Sequence, residues 1–144
     1  MAATEITREN PGFLLAKASQ RWNELLAEGF AARGYPEVRP AYGSILVPLF
    51  EEDGLRLGEL ARRARLAKQT MTTMVRLLER DGLVSRAPDP ADGRATLVAL
   101  TPRARRFQPV AAQVLREIER KLDSRLDKRR RQALQEALKE VIDL

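Results

Sequence analysis

Between Asp53 and Thr101 the chain is punctuated too often for any long element to form. Asp53-Gly54, Asp81-Gly82 and Asp92-Gly93 are turn signals, and Pro88 and Pro90 crowd the last of them. Two short helical stretches fit between the stops. Leu57–Arg65 carries Leu57, Leu60 and Ala61 as its apolar positions. Lys68–Arg80 places Met71, Met74, Val75 and Leu78 at i, i+3, i+4 and i+7. Only a tight connection, Leu66–Lys68, joins them. Leu83–Arg86 and Ala95–Leu100 then read as two strands of a hairpin whose tip is the Asp92-Gly93-Arg94 turn. Two consecutive short helices followed by a hairpin predict a winged helix-turn-helix.

The flanks have the opposite character. Asn10-Pro11 is a cap followed by a proline at the first helical position. Phe13, Leu14, Ala18, Trp22, Leu25, Leu26 and Phe30 continue at helical spacing until Gly34 and Pro36. A second stretch, Arg39–Glu52, is helical but holds Pro48, which predicts a kink or a shortening. Thr101-Pro102 repeats the cap-then-proline signal ahead of a helix reaching about Leu126. A last helix follows from about Lys128 to Ile142, with Leu134, Leu138, Val141 and Ile142 on one side. The fold class expected is mainly α with a small β-hairpin. The 144 residues form a single domain: residues 39–101 as the helix-turn-helix lobe, and residues 10–34 and 102–144 as helices with apolar surface to spare.

Charge is concentrated where the elements are short. Residues 56–106 hold 12 basic and 5 acidic side chains, whereas residues 1–55 hold 5 and 8, and residues 107–144 hold 9 and 7. The middle segment therefore carries more than the whole net charge of +6. That concentration favours an anionic partner, with double-stranded DNA first among the candidates. On the Lys68–Arg80 helix, Gln69, Thr72, Thr73 and Arg76 fall opposite the apolar face. Such amides, hydroxyls and guanidiniums match base edges in a major groove. Lys68, Gln69 and Thr70 occupy the first turn, where backbone N–H groups and the helix dipole favour a phosphate. Arg86 and Arg94 flank the hairpin tip, and a guanidinium on a narrow ribbon suits the minor groove.

What the chain lacks narrows the function further. With no cysteine and no histidine there can be no disulfide, no thiol switch and no thiolate or imidazole metal site. Histidine-dependent triads are excluded on the same ground. There is no glycine-rich phosphate loop, so an enzyme is not expected, nor a cofactor. No stretch reaches the ~18 apolar residues of a membrane span, so no membrane partner is expected and the cytoplasm is the expected location.

Three strings together carry a resemblance: Leu57-Gly58-Glu59-Leu60-Ala61, Arg80-Asp81-Gly82-Leu83-Val84-Ser85-Arg86, and Asp89-Pro90-Ala91-Asp92-Gly93-Arg94. Leu97-Val98-Ala99-Leu100-Thr101 closes the set. In this order they resemble the MarR (multiple-antibiotic-resistance-type) family of winged helix-turn-helix regulators. The resemblance implies a homodimer joined through the terminal helices, reading a pseudo-palindromic operator. It implies that the Lys68–Arg80 helix enters the major groove, that Arg94 enters the minor groove, and that Asp92 supports Arg94. It further implies release of DNA by a small aromatic or phenolic ligand, for which Trp22, Arg39 and Tyr42, with Tyr35, are the candidate lining. Ala67 departs from the family's usual serine-like helix cap, and Pro48 is also atypical. An effector-independent activator or architectural DNA-binding protein is the alternative. So is a winged-helix module used for protein contacts.

Overall fold

The computed structural model describes residues 5–144. The elements run α1 (Pro11–Ala32), a 3-10 turn (Pro40–Tyr42), α2 (Gly43–Glu51), β1 (Leu55–Arg56), α3 (Leu57–Ala64) and α4 (Lys68–Arg80). They continue as β2 (Val84–Asp89), β3 (Asp92–Leu100), α5 (Pro102–Asp123) and α6 (Lys128–Ile142). The expected caps form. The Asn10 side chain accepts from the Gly12 N–H, and the Thr101 hydroxyl accepts from the Ala104 N–H. Thr101 also donates to the Gly82 carbonyl at 2.6 Å, fastening the start of α5 to the end of α4. Gly82 takes φ 76°, a left-handed conformation that lets Leu83 N–H reach back to the Leu78 carbonyl and close α4.

The sequence and the structure differ in three places. The expected helix over Arg39–Glu52 is divided into a 3-10 turn and the nine-residue α2, and Pro48 lies inside α2 without ending it. The expected two-stranded hairpin is a three-stranded antiparallel sheet in the order β1-β3-β2, because Leu55 and Arg56 pair with Val98 and Leu97. The hairpin also turns earlier than expected. Asp89 pairs with Asp92, so the apex is Pro90-Ala91, while Asp92, Gly93 and Arg94 belong to β3. Asp89 at the first position of the turn and Pro90 at the second are strong turn formers. The Asp89 carboxylate accepts the Ala91 N–H at 2.9 Å to complete it. Pro88 is tolerated because β2 is an edge strand.

One core runs through both halves. Tyr42, Ile45, Leu49, Leu60, Met71, Val75, Leu78, Leu83 and Val98 are buried in the helix-turn-helix half, and Phe107, Val114 and Ile118 extend the cluster along α5. Phe107 meets the edge of Phe30 at 4.9 Å and a tilted Tyr35 at 5.1 Å. Gly29 lets α1 approach α5 closely, since a Cβ there would stand 2.5 Å from a Val114 methyl. Arg33 seals the same contact with Glu117 at 2.6 Å. α6 buries nothing.

Candidate nucleic-acid interface

α4 divides as its spacing predicts. Met71, Val75 and Leu78 are buried and Met74 is half-buried, while Lys68, Gln69, Thr70, Thr73 and Arg76 are exposed and Thr72 is half-buried. Ala67 caps the helix without a side-chain hydrogen bond, and the first turn holds no acidic residue. The N–H groups of that turn therefore stand open beside Lys68. Thr72 and Thr73 return their hydroxyl protons to the Lys68 and Gln69 carbonyls at 2.9 and 3.1 Å. Both side chains consequently offer a methyl group and an acceptor outward rather than a donor.

Much of the positive charge of the middle segment is spent within the fold. Glu59 takes Arg62 at 2.5 Å and Arg63 at 2.9 Å, and Glu52 takes Arg63 again at 2.8 Å. The hydrogen bonds from Arg62 and then Arg63 hold the Glu59 carboxyl down at about 2. Arg65, in a left-handed conformation at φ 52°, reaches the Ile142 carbonyl and Asp143. Arg105 binds Asp53, whose other oxygen accepts the Leu100 N–H. Among the described residues, Lys68 and Arg76 make no ion pair. The Arg94 side chain is 97% exposed, with Asp92 no nearer than 3.8 Å. Lys68 and Arg76 lie on the outward face of α4 and Arg94, held only by that long contact, on the wing; Arg106 on α5 is the other cation of the segment without an ion pair among the described residues.

The two wing arginines, equivalent in the sequence, are not equivalent in space. Arg94 projects from β3 just beyond the apex, and the Asp92 carboxylate accepts its backbone N–H at 3.1 Å. Arg86 sits at the base of the wing rather than beside its tip. Its guanidinium grips Glu79 of α4 with two hydrogen bonds of 3.0 and 3.2 Å. Sequence reasoning also missed Asp89. This carboxylate, only 11% exposed, binds Arg56 of β1 at 2.6 Å. The Ala91 N–H, then Arg56, outweigh its partial burial and hold it below the ordinary carboxylate range. The turn motif Asp89-Pro90 was the signal that could have marked it.

The candidate ligand residues do not line an open cavity together. Tyr42 is 1% exposed and belongs to the core, so it cannot line an open crevice. Its hydroxyl donates to Asp81 at 2.6 Å, and burial, then that bond, push its pKa up. Asp81 is pushed up by burial, but the Tyr42 hydroxyl and Arg80 outweigh this and leave it below its ordinary value. Arg39 is exposed and close enough to act on both groups electrostatically. Trp22 is half-buried on α1 against the core. A cavity of about 220 Å³ between α1 and α5 includes none of the three. No helix among the described residues is long and apolar enough to cross a membrane.

The same arrangement is found in known regulators. The sequence profile of the MarR family matches residues 40–96, the span from the 3-10 turn to β3. The curated HTH-type transcriptional repressor YetL of Bacillus subtilis is 36% identical over 85 residues, covering 58% of this chain and 49% of YetL. The chain spans half or less of the length of the curated relatives it matches. The crystal structure of a probable transcriptional regulator from Pseudomonas aeruginosa is similar throughout. It is 30% identical with a TM-score of 0.79, covering 92% of this chain and 97% of that one. The repressor CouR, solved bound to a 23-mer DNA duplex, shares the fold at 24% identity. Its TM-score is 0.76, over 98% of this chain and 99% of CouR. A helix-turn-helix with its wing, framed by long terminal helices, matched in sequence profile over residues 40–96 and in fold over 92% of the chain, places this chain in the MarR family of winged-helix transcriptional regulators.

Proposed function

We propose that the chain is a sequence-reading DNA-binding repressor that acts as a homodimer. The observation that carries this reading is the outward face of α4 beside the wing, where exposed cations stand next to amide and hydroxyl groups with no acidic residue in the helix's first turn. Neighbouring carboxylates neutralise the arginines of α3, whereas Lys68 and Arg76 are unpaired on the face of α4 and Arg94, 97% exposed on the wing, has only a long 3.8 Å contact with Asp92. Gln69, Thr70, Thr72, Thr73 and Arg76 would meet base edges and phosphates in a major groove. Arg94, steadied by Asp92, would enter the adjacent minor groove. Residues 39–101 form the DNA-reading lobe, and residues 10–34 and 102–144 join the two copies. A two-fold dimer would read half-sites about one helical turn apart. CouR bound to a duplex supports the pose by its fold.

The test begins with a pool of duplexes of randomised sequence, from which the protein enriches its own target. Affinity for that duplex should fall steeply with salt. Arg94→Ala should bind it roughly tenfold to a hundredfold more weakly, as one lost groove contact predicts. Sizing should still show a dimer. Affinity that is flat in salt, or normal in Arg94→Ala, would overturn the assignment. Control by a small aromatic ligand enters through the resemblance. Trp22, the one tryptophan, is its natural reporter. Titration with benzoate-class acids should quench it, and an unchanged spectrum would remove that part of the reading.

A further inference from the structure

The wing is held at two points, and neither hold is made by the residues that would touch DNA. At its base, Arg86 of β2 grips Glu79 of α4 with two hydrogen bonds, at 3.0 and 3.2 Å. Near its apex, Asp89 at the end of β2 takes Arg56 of β1 at 2.6 Å, across the width of the sheet. A two-stranded ribbon beyond its last packed residue is otherwise free to bend. Outside Val84, Val98 and Leu100, β2 and β3 bury no side chain among the described residues. Hydrogen bonds between charged groups are the stronger class, and a two-point guanidinium–carboxylate contact fixes an angle as well as a distance.

We propose that Arg86 and Asp89 are positioning residues: through Glu79 and Arg56 they set the pitch of the wing against α4, so that Arg94 stands at a fixed distance from the base-reading face. This rests on the DNA-binding reading above. It assigns Arg86 a different role from the groove contact expected of it in sequence. The physical basis is preorganisation. A wing already at the right pitch loses less conformational freedom on binding, and two grooves can be engaged together only if their spacing is preset. A site with a wrongly pitched wing would keep its phosphate contacts and lose its discrimination.

Glu79→Gln separates the two roles of Arg86 because they predict opposite signs. Were Arg86 a DNA contact, removing its acidic partner would free a cation, raise affinity and steepen the salt dependence. As a positioning residue, Arg86 loses its hold. Affinity for the selected duplex should then fall about tenfold, while affinity for duplex of unrelated sequence and the slope against salt stay as in the wild type. Asp89→Asn should act in the same direction. Both substitutions are isosteric, and melting temperature and dimer size verify that the fold is intact. A second readout needs no DNA. Backbone ¹⁵N order parameters of the non-proline residues over 87–95 should drop in Glu79→Gln from the rigid range near ~0.85 toward the flexible range below ~0.6. A wing that stays rigid, or an affinity that holds or rises, overturns the proposal. If the wild-type protein enriches no duplex, the DNA-binding reading fails, and the order parameters still decide whether the wing is clamped.

Discussion

α4 and α6 are close in length and open alike, each with cations and no acidic residue in the first turn. They differ in what they leave exposed. α4 buries Met71, Val75 and Leu78 and turns amide, hydroxyl and guanidinium groups outward. α6 buries nothing and leaves Leu134, Leu138, Val141 and Ile142 between 37% and 60% exposed on a single side. Their starts differ as well. The Asp127 side chain closes α6 by accepting the Arg130 N–H at 2.8 Å, whereas no side chain closes α4. The apolar face of α4 is covered by its own chain, while its first turn is left uncapped. α6 is capped but has not found its apolar partner within the chain. On the function proposed above, DNA recognition and self-association fall on separate helices, so each should be breakable without the other.

The largest effect should come from breaking the α6 side. In a two-fold dimer a substitution acts twice, and burial of one leucine side chain contributes about 1.5–3 kcal/mol. Leu138→Arg should therefore raise the dimer dissociation constant by roughly a hundredfold or more, read by analytical ultracentrifugation. The monomer should keep a folded helix-turn-helix, because Leu138 takes no part in the core. A variant that remains dimeric would show that the exposed row on α6 is not the joining surface. On the α4 side, Arg76→Ala removes a free cation. Binding should weaken by about 1–3 kcal/mol, with a salt slope shallower by about 1 and an unchanged dimer. If instead the dimer weakens, the division between the two helices fails.

The contrast was only partly legible in the sequence. Local rules were readable. Asn10-Pro11 and Thr101-Pro102 start helices through contacts within three residues, and the apolar spacing of α4 fixes its buried face. Long-range contacts were not readable. β1 is two residues with no periodicity of its own and exists because Leu97 and Val98 of β3 offer Leu55 and Arg56 an edge to pair. Arg86 and Arg94 look alike in a string. They separate only once Glu79, seven residues before Arg86 on another element, is folded against the wing base. Tyr42 carried the chemistry of a ligand contact, but aromatic character does not reveal burial, and the core claimed it. The wing apex was displaced by a competition of turn signals, in which Asp89-Pro90 prevailed over Asp92-Gly93.

Tyr42 has a role in the comparison all the same, because Asp81, its hydrogen-bond partner, is the residue that ends α4. Tyr42→Phe keeps the ring in the core and removes the donor. Loss of a hydrogen bond to a charged group costs about 1.5 kcal/mol, less whatever Arg80 retains. The pH dependence has a definite sign. A carboxyl whose pKa is lowered by folding adds stability that is full above its ordinary pKa and is lost as pH falls through the lowered one. The difference between variant and wild type should thus be widest at neutral pH and close in acid. Chemical denaturation at several pH values measures it, and a gap that widens in acid would contradict the assignment.

The smallest effect, and the sharpest for the contrast, lies at the start of α4. Ala67 already has the extended backbone of a helix cap, φ −59° and ψ 145°, but lacks an acceptor. Ala67→Ser should supply one, stabilising the free protein by about 1 kcal/mol and raising its melting temperature by a few degrees. Were the open N–H groups of that turn merely unfinished, better capping would leave DNA binding unchanged or improve it. If they are kept for a phosphate, the serine hydroxyl competes with it. Stability and affinity should then move in opposite directions, with binding to the selected duplex falling a few-fold, by about 0.5–1 kcal/mol. The corresponding loss at α6 is already visible: Asp127 caps it and no anion is called for. A serine at position 67 that raises both quantities would show that the missing cap on α4 has no part in recognition.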